Sequence, residues 1–249
     1  MSELITRQCT DGVLELTLNR PQKKNALNRE MYLGLTEMLQ QADSDDAVKV
    51  VLLSGAGDSF CSGNDIADFV SSGASAEAAS VPLRLLQALA GLEKPLVASI
   101  HGHAVGIGTT LLLHCDLVYG ADNTRLQLPF ARLGLVPEGG SSLLLPQLAG
   151  HRKAFELLVL GEAFDADCGR SIGLINEVIA ADQVLVRARE RACSLAALPQ
   201  QALRKSKQML RAHQQDLLQQ VLVEEIDAFR ERLNSAEAQG ALMAFMQRG

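Results

Sequence analysis

The feature that most restricts the fold is a pair of short, almost uninterrupted apolar runs at residues 48–53 and 96–100. Runs of this length are typical of strands that are buried on both faces, as in parallel sheets covered by helices. The first run follows an alternating strand pattern at residues 13–18 and an amphipathic helical pattern that Asn28 caps at its start. This β-α-β order predicts an α/β fold with a parallel sheet.

Each of these two strands is followed by a loop of small residues, one containing Gly63 and Asn64 and the other spanning residues 106–108. Ligands of open α/β sheets usually bind at such strand ends. Glycine permits close approach of the backbone, and the second loop opens a helix whose free N–H groups attract negative charge. Two such donors converging on one carbonyl oxygen would stabilise an enolate. The same composition also fits two tight turns without chemistry.

Composition and charge exclude several classes of protein. The 23 Lys and Arg against 29 Asp and Glu give a formal net charge of −6, which does not favour a nucleic-acid partner. Five scattered cysteines, without a C-x-x-C pair, argue against a disulfide framework or a zinc site and predict a reducing, cytoplasmic compartment. We also expect no membrane partner, because no apolar run is long enough to span a bilayer and neither end resembles a targeting signal.

The last quarter of the chain has a long amphipathic helical pattern and little obvious chemistry. Without a linker or an internal repeat, we predict a core over residues 1–200 and a C-terminal helical region over residues 201–249. A Ser/Ala/Gly-rich segment at residues 71–80 is predicted to be a mobile loop or a short helix over a site.

A single carboxylate, Glu138, stands between a proline and two glycines beside a strongly apolar run. By itself this pattern favours an exposed turn, or an acid at the first turn of a helix. The adjacent Ser141 and Ser142 lack the surroundings of a nucleophilic serine, so a helix start explains them better.

Several cofactor sites are excluded by spacing. The glycines of residues 106–108 lack the third glycine of a dinucleotide-binding loop, and the chain has no phosphate-binding G-K-[ST] loop. His101 and His103 have no acid or cysteine grouped with them, so we predict no metal site.

The ordered segments at residues 19–21, 24–27, 60–66, 102–108, 115–116 and 133–142 resemble the crotonase superfamily of enoyl-CoA hydratases and isomerases. The resemblance covers nearly the whole chain and implies an α/β fold with a ββα spiral core and a C-terminal helical region. It implies an acyl-CoA thioester as substrate, no separate cofactor, and a homotrimer or a dimer of trimers. It also implies that the backbone N–H groups of Asn64 and Ile107 hold the thioester oxygen.

At two positions this chain departs from the hydratase pattern, and both departures affect which reaction we expect it to catalyse. Hydratases of this superfamily carry catalytic glutamates at the positions of Thr110 and Phe130. Neither residue present here can act as an acid or base near neutral pH. Adding water to a double bond depends on that pair of carboxylates, so hydratase activity is expected to be poor.

The segment around Glu138 instead resembles the peroxisomal-type Δ3,Δ2-enoyl-CoA isomerases, in which the glutamate of this Pro-Glu-Gly motif is the base. A double-bond shift requires one base that takes a proton from C2 and returns it to C4. An apolar pocket formed by Phe130, Leu133 and Leu135 is expected to raise the pKa of Glu138 and strengthen it as a base.

The resemblance also suggests which residues contact the CoA moiety, in part from a neighbouring subunit. These are Lys23, Lys24, Ala26, Ser62, Asp65, Ile66, Phe245 and Arg248. For Lys23 and Lys24, a solvated basic loop is the simpler alternative.

Two other interpretations remain open from the sequence. The first is another CoA-ester enzyme, either a hydratase or an isomerase of ring-derived CoA esters, that uses Glu138 or Asp65 differently. The second is a non-catalytic acyl-CoA-binding scaffold, since some crotonase-fold domains have lost their carboxylates.

Overall fold

A computed structural model describes residues 4–68 and 76–247, and two sheets organise this part of the chain. The strands are β1 (Ile5–Thr10), β2 (Val13–Leu18), β3 (Val50–Gly55), β4 (Leu96–Ile100), β5 (His103–Val105), β6 (Leu117–Ala121), β7 (Arg125–Gln127), β8 (Phe164–Asp165) and β9 (Glu177–Ile179). The larger sheet has the order β1-β2-β3-β4-β6-β9, and the smaller has the order β5-β7-β8.

The helices cover these sheets and extend to the end of the described chain. They are α1 (Arg29–Ser44), α2 (Ala76–Gly91), α3 (Ile107–Thr110), α4 (Ser141–Ala149), α5 (His151–Phe155), α6 (Ala166–Ser171), α7 (Val184–Ala196), α8 (Gln200–Arg211), α9 (Gln215–Leu233) and α10 (Ala236–Met246). Short 3-10 turns lie at Pro21–Lys23, Leu111–His114 and Ala131–Leu133, and a π-helical turn at Glu156–Leu160. Among the described residues, no helix is long and apolar enough to cross a membrane.

The larger sheet is parallel except at its edge, where β1 and β2 pair antiparallel. This confirms the parallel arrangement predicted from the β-α-β order. Strands β4 and β6 each pass after a short turn into a strand of the smaller sheet, β5 and β7, and a helical turn follows. This repeated ββα succession is the arrangement that the sequence resemblance implies.

Strand β3 is buried on both faces, as its unbroken apolar sequence predicts. Val51 and Leu53 belong to the main core with residues of α1 and α2, whereas Val50 and Leu52 belong to a second core beneath α7. The second core receives Ala188, Ala192 and Ala196 from α7. Because residues four apart lie on one helix face, these small side chains let α7 approach the sheet closely.

Some predicted boundaries were wrong by two residues. The run beginning at Val48 becomes a strand only at Val50, because the Val48 N–H still closes a turn onto the Asp45 carbonyl. The helix predicted after the loop at residues 106–108 begins inside that loop, at Ile107, and tightens into a 3-10 turn at Leu111. Strand β1 was not predicted, since five of its six residues are exposed and its sequence lacks a continuous apolar face.

The C-terminal helices lie against the part of the chain that carries Glu138. Helix α9 packs on α2 and on α4, and α10 packs near the turn at Ala131–Leu133. The predicted division into residues 1–200 and 201–249 falls at the start of α8 and stays a prediction. Of the Ser/Ala/Gly-rich segment at residues 71–80, residues 71–75 lie outside the described residues, and α2 begins at Ala76.

Candidate active site

A tight turn immediately before α4 carries Glu138. Gly139 and Gly140 both adopt left-handed backbone conformations, with φ of 74° and 73°, which favours glycine at both positions. A Cβ atom on Gly139 would lie 2.8 Å from Thr110 Oγ1, so the turn also needs glycine for space. The Ser141 hydroxyl donates to the Glu138 carbonyl at 2.7 Å, and α4 begins at Ser141, as predicted.

The carboxylate of Glu138 is buried, with 4% of the residue exposed. Its Oε1 accepts a hydrogen bond of 2.7 Å from Thr110 Oγ1. Burial raises the pKa of Glu138 to about 7; the Thr110 hydrogen bond lowers it and the charge of Glu225 raises it. A carboxylate with a pKa near the ambient pH is a much better general base than an exposed glutamate.

A buried histidine, His114, contacts the backbone of the turn that carries Glu138. His114 Nε2 lies 2.8 Å from the Gly139 carbonyl oxygen. Burial is the main cause that lowers the pKa of His114, to about 4, so the ring is neutral near pH 7. Since a carbonyl only accepts, Nε2 must carry the ring proton. His114 is therefore a donor that fixes the backbone beside Glu138.

The loop that contains Cys61 runs alongside the segment that begins at His103. The Cys61 N–H donates to the His103 carbonyl, and the Val105 N–H donates to the Cys61 carbonyl, both at 2.9 Å. The contact is so close that a Cβ atom on Gly108 would lie 2.3 Å from the Cys61 carbonyl oxygen. This pairing brings Asn64 and Ile107, the two predicted oxyanion donors, onto adjacent loops.

The backbone N–H groups of Asn64 and Ile107 have no acceptor within residues 4–68 and 76–247. Ile107 is 1% exposed and is the first residue of α3, whose Thr110 hydrogen-bonds Glu138. An unpaired N–H group in a buried position is costly unless a ligand satisfies it. Donors of this kind next to a buried base can stabilise an oxyanion while a proton is removed.

Tyr32 from α1 is a site neighbour that no sequence pattern singled out. Its hydroxyl donates to Asn64 Oδ1 at 2.5 Å. Burial and then the negative charge of Glu138 raise the pKa of Tyr32 well above its usual value, so the hydroxyl keeps its proton. Within the predicted amphipathic helix, Tyr32 was indistinguishable from a core residue.

Glu225 from α9 is the second residue that sequence reasoning missed. Its Oε2 accepts from the Gly140 N–H at 2.6 Å, and its Oε1 accepts from the Ser142 N–H at 2.9 Å. These bonds connect residues 83 or more positions apart in the chain, so no local pattern contained them. The expectation that the late helices carry little chemistry therefore overlooked a buried acid next to the Glu138 turn.

A cavity of about 670 Å³ opens beside the paired loops. The predicted pocket residues Phe130, Leu133 and Leu135 all line it, together with Phe229 of α9. Glu138 is not one of its lining residues, and Phe130 is itself 4% exposed. The cavity walls are predominantly apolar and suit an apolar chain better than a charged group.

The predicted CoA contacts divide into three groups. Lys24, Ser62, Ile66 and Phe245 line the cavity, and the first and last of these are exposed. Lys23, Ala26 and Asp65 are not among its lining residues. Arg248 lies outside the described residues.

The Asp65 side chain has a partner within the chain, and its predicted contact with CoA stays a prediction. It forms a 2.6 Å ion pair with Arg20, which also donates to the Ala26 carbonyl at 3.1 Å. Burial raises the pKa of Asp65, but hydrogen bonds from Arg20, Asp68 and Ala67 outweigh it and lower the pKa overall. In the structure, Asp65 thus holds the loop at residues 20–26 against the loop at residues 61–66.

Comparison with known proteins agrees with this architecture. The chain matches a family model described as enoyl-CoA hydratase/isomerase over residues 8–249. The solved structure of Pseudomonas aeruginosa OdaA is 46% identical, covers 99% of this chain and 100% of its own, and superposes with a TM-score of 0.95. This similarity confirms the predicted fold class, an α/β crotonase-type spiral followed by C-terminal helices.

The similar proteins include both isomerases and hydratases, among the latter 2,3-dehydroadipyl-CoA hydratase of Escherichia coli (strain K12), which is 32% identical over 100% of this chain and 97% of that protein. The chain is 37% identical to enoyl-CoA delta isomerase 2 of Rattus norvegicus, covering 95% of this chain and 62% of that protein. It is 34% identical to 1,2-epoxyphenylacetyl-CoA isomerase of Escherichia coli (strain K12), covering 99% of this chain and 96% of that protein. The chain therefore spans less than two thirds of the rat protein, and by the family match it belongs to the enoyl-CoA hydratase/isomerase (crotonase) family.

Proposed function

We propose that this protein is an enoyl-CoA isomerase that converts 3-enoyl-CoA into trans-2-enoyl-CoA with Glu138 as its single base. The observation that carries the proposal is a buried carboxylate with a pKa near 7, next to two loops whose Asn64 and Ile107 N–H groups find no acceptor among the described residues. At positions 110 and 130, where the hydratase pattern has glutamates, this chain has Thr110 and Phe130.

The proposed reaction needs one proton transfer in each direction. The thioester oxygen of the substrate accepts hydrogen bonds from the N–H groups of Asn64 and Ile107. Glu138 removes a proton from C2, and the electron pair delocalises into a dienolate whose negative charge rests on the thioester oxygen. Protonated Glu138 then delivers the same proton to C4, and the double bond moves from C3–C4 to C2–C3.

The surroundings of Glu138 support its role as the base because they raise its pKa. A glutamate with an ordinary pKa of about 4.5 would be a weak base towards C2, whereas burial raises the pKa of Glu138 to about 7. The Thr110 hydroxyl donates to the carboxylate and so fixes its orientation. In this proposal Thr110 positions the base instead of replacing the missing acid of a hydratase.

The acyl-CoA ester is proposed to occupy the cavity lined by Phe130, Leu133 and Leu135. Lys24 and Phe245 lie on its exposed side and are suited to the CoA phosphates and adenine, with Ser62 and Ile66 beside them. Lys23, Ala26, Asp65 and Arg248 stay predictions from the sequence resemblance.

Glu138→Gln tests the assignment because glutamine fills the same space but cannot accept the C2 proton. We expect kcat for 3-enoyl-CoA to fall by about a thousandfold, with binding of a saturated acyl-CoA unchanged. Glu224→Gln, at an exposed position of α9, is the matched control and should keep wild-type turnover. Turnover by Glu138→Gln near the wild-type rate would contradict the proposed base.

A second candidate activity is isomerisation of a ring-derived CoA ester. The relative named 1,2-epoxyphenylacetyl-CoA isomerase is matched over 96% of its length, whereas the rat enoyl-CoA isomerase is matched over 62%. Parallel assays with a 3-enoyl-CoA, a 2-enoyl-CoA and an epoxide of an aryl-CoA ester separate the possibilities. Faster water addition to 2-enoyl-CoA would favour a hydratase, and no turnover of any ester would favour a scaffold.

We also propose that the protein assembles as a homotrimer or as a dimer of trimers. Large apolar side chains that stay exposed in the single chain support an assembly, namely Phe155, Leu160, Met209 and Leu210. The molar mass in solution, measured by light scattering, tests this: a monomeric mass at micromolar concentration would contradict it.

A further inference from the structure

The structure places a second buried carboxylate beside the turn that carries the proposed base. Glu225 is 8% exposed, and its two oxygens accept the Gly140 and Ser142 N–H groups at 2.6 and 2.9 Å. Burial raises the pKa of Glu225 above its usual value, and the bonds from Ser142 and Gly140 oppose this rise without reversing it. Because each oxygen accepts an N–H group, the contacts favour the ionised form of this carboxylate.

The N–H groups that Glu225 occupies belong to the start of α4, a helix of nine residues. The N-terminus of a helix carries a partial positive charge that stabilises a nearby anion. Gly140 is two residues after Glu138, so Glu225 occupies the positive end of α4 directly beside the turn that carries the proposed base. A stabilised carboxylate is a weaker base.

Helix α9 packs against the turn through side chains beside the Glu225 contact. Leu218 and Leu222 of the same helix surround Gly140, where an added Cβ atom would lie 2.6 Å from Leu218 Cδ1. One helical turn after Glu225, Phe229 lines the proposed acyl cavity. Helix α9 therefore contacts both the turn that carries Glu138 and the proposed acyl cavity.

The groups that face Glu138 come from several elements. Thr110 of α3 donates a hydrogen bond to it, Tyr32 of α1 and Cys61 are buried protonated neighbours whose pKa values its charge raises, and His114 acts through the Gly139 carbonyl. Glu225 is the acid whose charge raises the pKa of Glu138. Only Glu225 in this set both carries negative charge and occupies the helix terminus.

We propose that Glu225 is a positioning residue that keeps Glu138 basic, by occupying the α4 N-terminus and by placing a fixed negative charge beside the turn. The inference rests on the proposed function for its kinetic consequence. Its electrostatic consequence, the protonation of Glu138, can be measured without turnover.

Glu225→Gln removes the charge and leaves one oxygen to accept an N–H group. We expect the acid limb of the kcat/KM profile for 3-enoyl-CoA to move to lower pH by about one unit, and the plateau rate to fall about threefold. Glu224→Gln removes the same charge from an exposed position of α9, and Glu225→Asp retains the charge; both should keep the wild-type acid limb. An unshifted acid limb in a folded Glu225→Gln protein would overturn the proposal.

The direct measurement is a pH titration of 13C-labelled glutamate side chains by NMR, with Glu138→Gln identifying the Glu138 signal. We expect Glu138 to take up its proton at lower pH in Glu225→Gln than in the wild type. If Glu225→Gln does not fold, the wild-type titration suffices: Glu225 must still be ionised where Glu138 protonates, and the reverse order overturns the inference. A shifted signal in a protein that fails to isomerise 3-enoyl-CoA would contradict the proposed function alone.

Discussion

Helices α3 and α9 come from different parts of the chain and act on the same carboxylate with opposite sign. Thr110 of α3 donates a hydrogen bond to Glu138, which lowers its pKa, whereas the charge of Glu225 on α9 raises it. Helix α3 also begins with the N–H group of Ile107, which has no acceptor in the part of the chain that the structure describes. Helix α9 instead covers the Glu138 turn from the side of Gly140.

A buried base has two requirements, and each of the two helices meets one of them. One region must orient the carboxylate through a donor, although that donor weakens it as a base. The other must prevent further stabilisation of the ionised form, although a second buried acid is itself costly to bury. Burial is the largest contribution that raises the pKa of Glu138.

The largest effect on stability is expected from a substitution in α3, at Gly108, which packs against the backbone of Cys61. In Gly108→Ala, the new Cβ atom would lie 2.3 Å from the Cys61 carbonyl oxygen, and a backbone atom cannot move aside as a side chain can. We expect a loss of about 4 kcal/mol in the free energy of unfolding, above the usual range for overpacking. Denaturant unfolding measures it.

Gly91→Ala is the control for that substitution, since an added Cβ atom there meets nothing within 4 Å. Its unfolding free energy should stay within about 0.5 kcal/mol of the wild type. A Gly108→Ala protein as stable as this control would show that the two loops are not held as closely as described.

An intermediate effect is expected from removing the charge that both helices surround. The folded pKa of Glu138 is about 7 and its ordinary value is 4.5, so the stability linked to this group is complete below 4.5 and is lost as pH rises to 7. Glu138→Gln cannot ionise and should therefore be more stable than the wild type at pH 8, by up to about 3 kcal/mol.

Thermal unfolding at pH 4 and at pH 8 tests this expectation. The difference between the two proteins should be small at the acidic pH and largest at the alkaline one. A constant difference at both values would mean that Glu138 titrates as an exposed glutamate.

The smallest effect is expected from removing the donor on α3. Thr110→Val keeps the shape of the side chain but loses the hydrogen bond to Glu138, so the pKa of Glu138 should rise by about one unit. The acid limb of the kcat/KM profile then moves to higher pH, opposite to the shift expected for Glu225→Gln. A fall instead of a rise would contradict the role of Thr110 as a stabilising donor.

Thr17→Val is the matched control for the loss of a hydroxyl. Thr17 lies in β2 and its hydroxyl bonds Ser54, away from Glu138. The pH profile of this variant should coincide with that of the wild type.

Local patterns predicted much of the fold because they depend on neighbours in the sequence. The buried strands, the Asn28 cap and the helix start at Ser141 were confirmed. Strand β1 was missed because its exposed residues have no apolar periodicity, and the strands of the second sheet are only two or three residues long. The positions of Glu138, Asn64 and Ile107 were selected from motif resemblance, since a glutamate in a turn is by itself unremarkable.

By itself, the sequence determined the β-α-β order, the glycine loops and the carboxylate between proline and glycine, because short-range sterics and periodicity specify them. The tertiary structure decided the surroundings of that carboxylate. Glu225 reaches Gly140 across 85 positions, and Tyr32 reaches Asn64 across 32. The acidity of Glu138 depends on burial and on charges that fold around it, and these quantities exist only once distant helices have packed together.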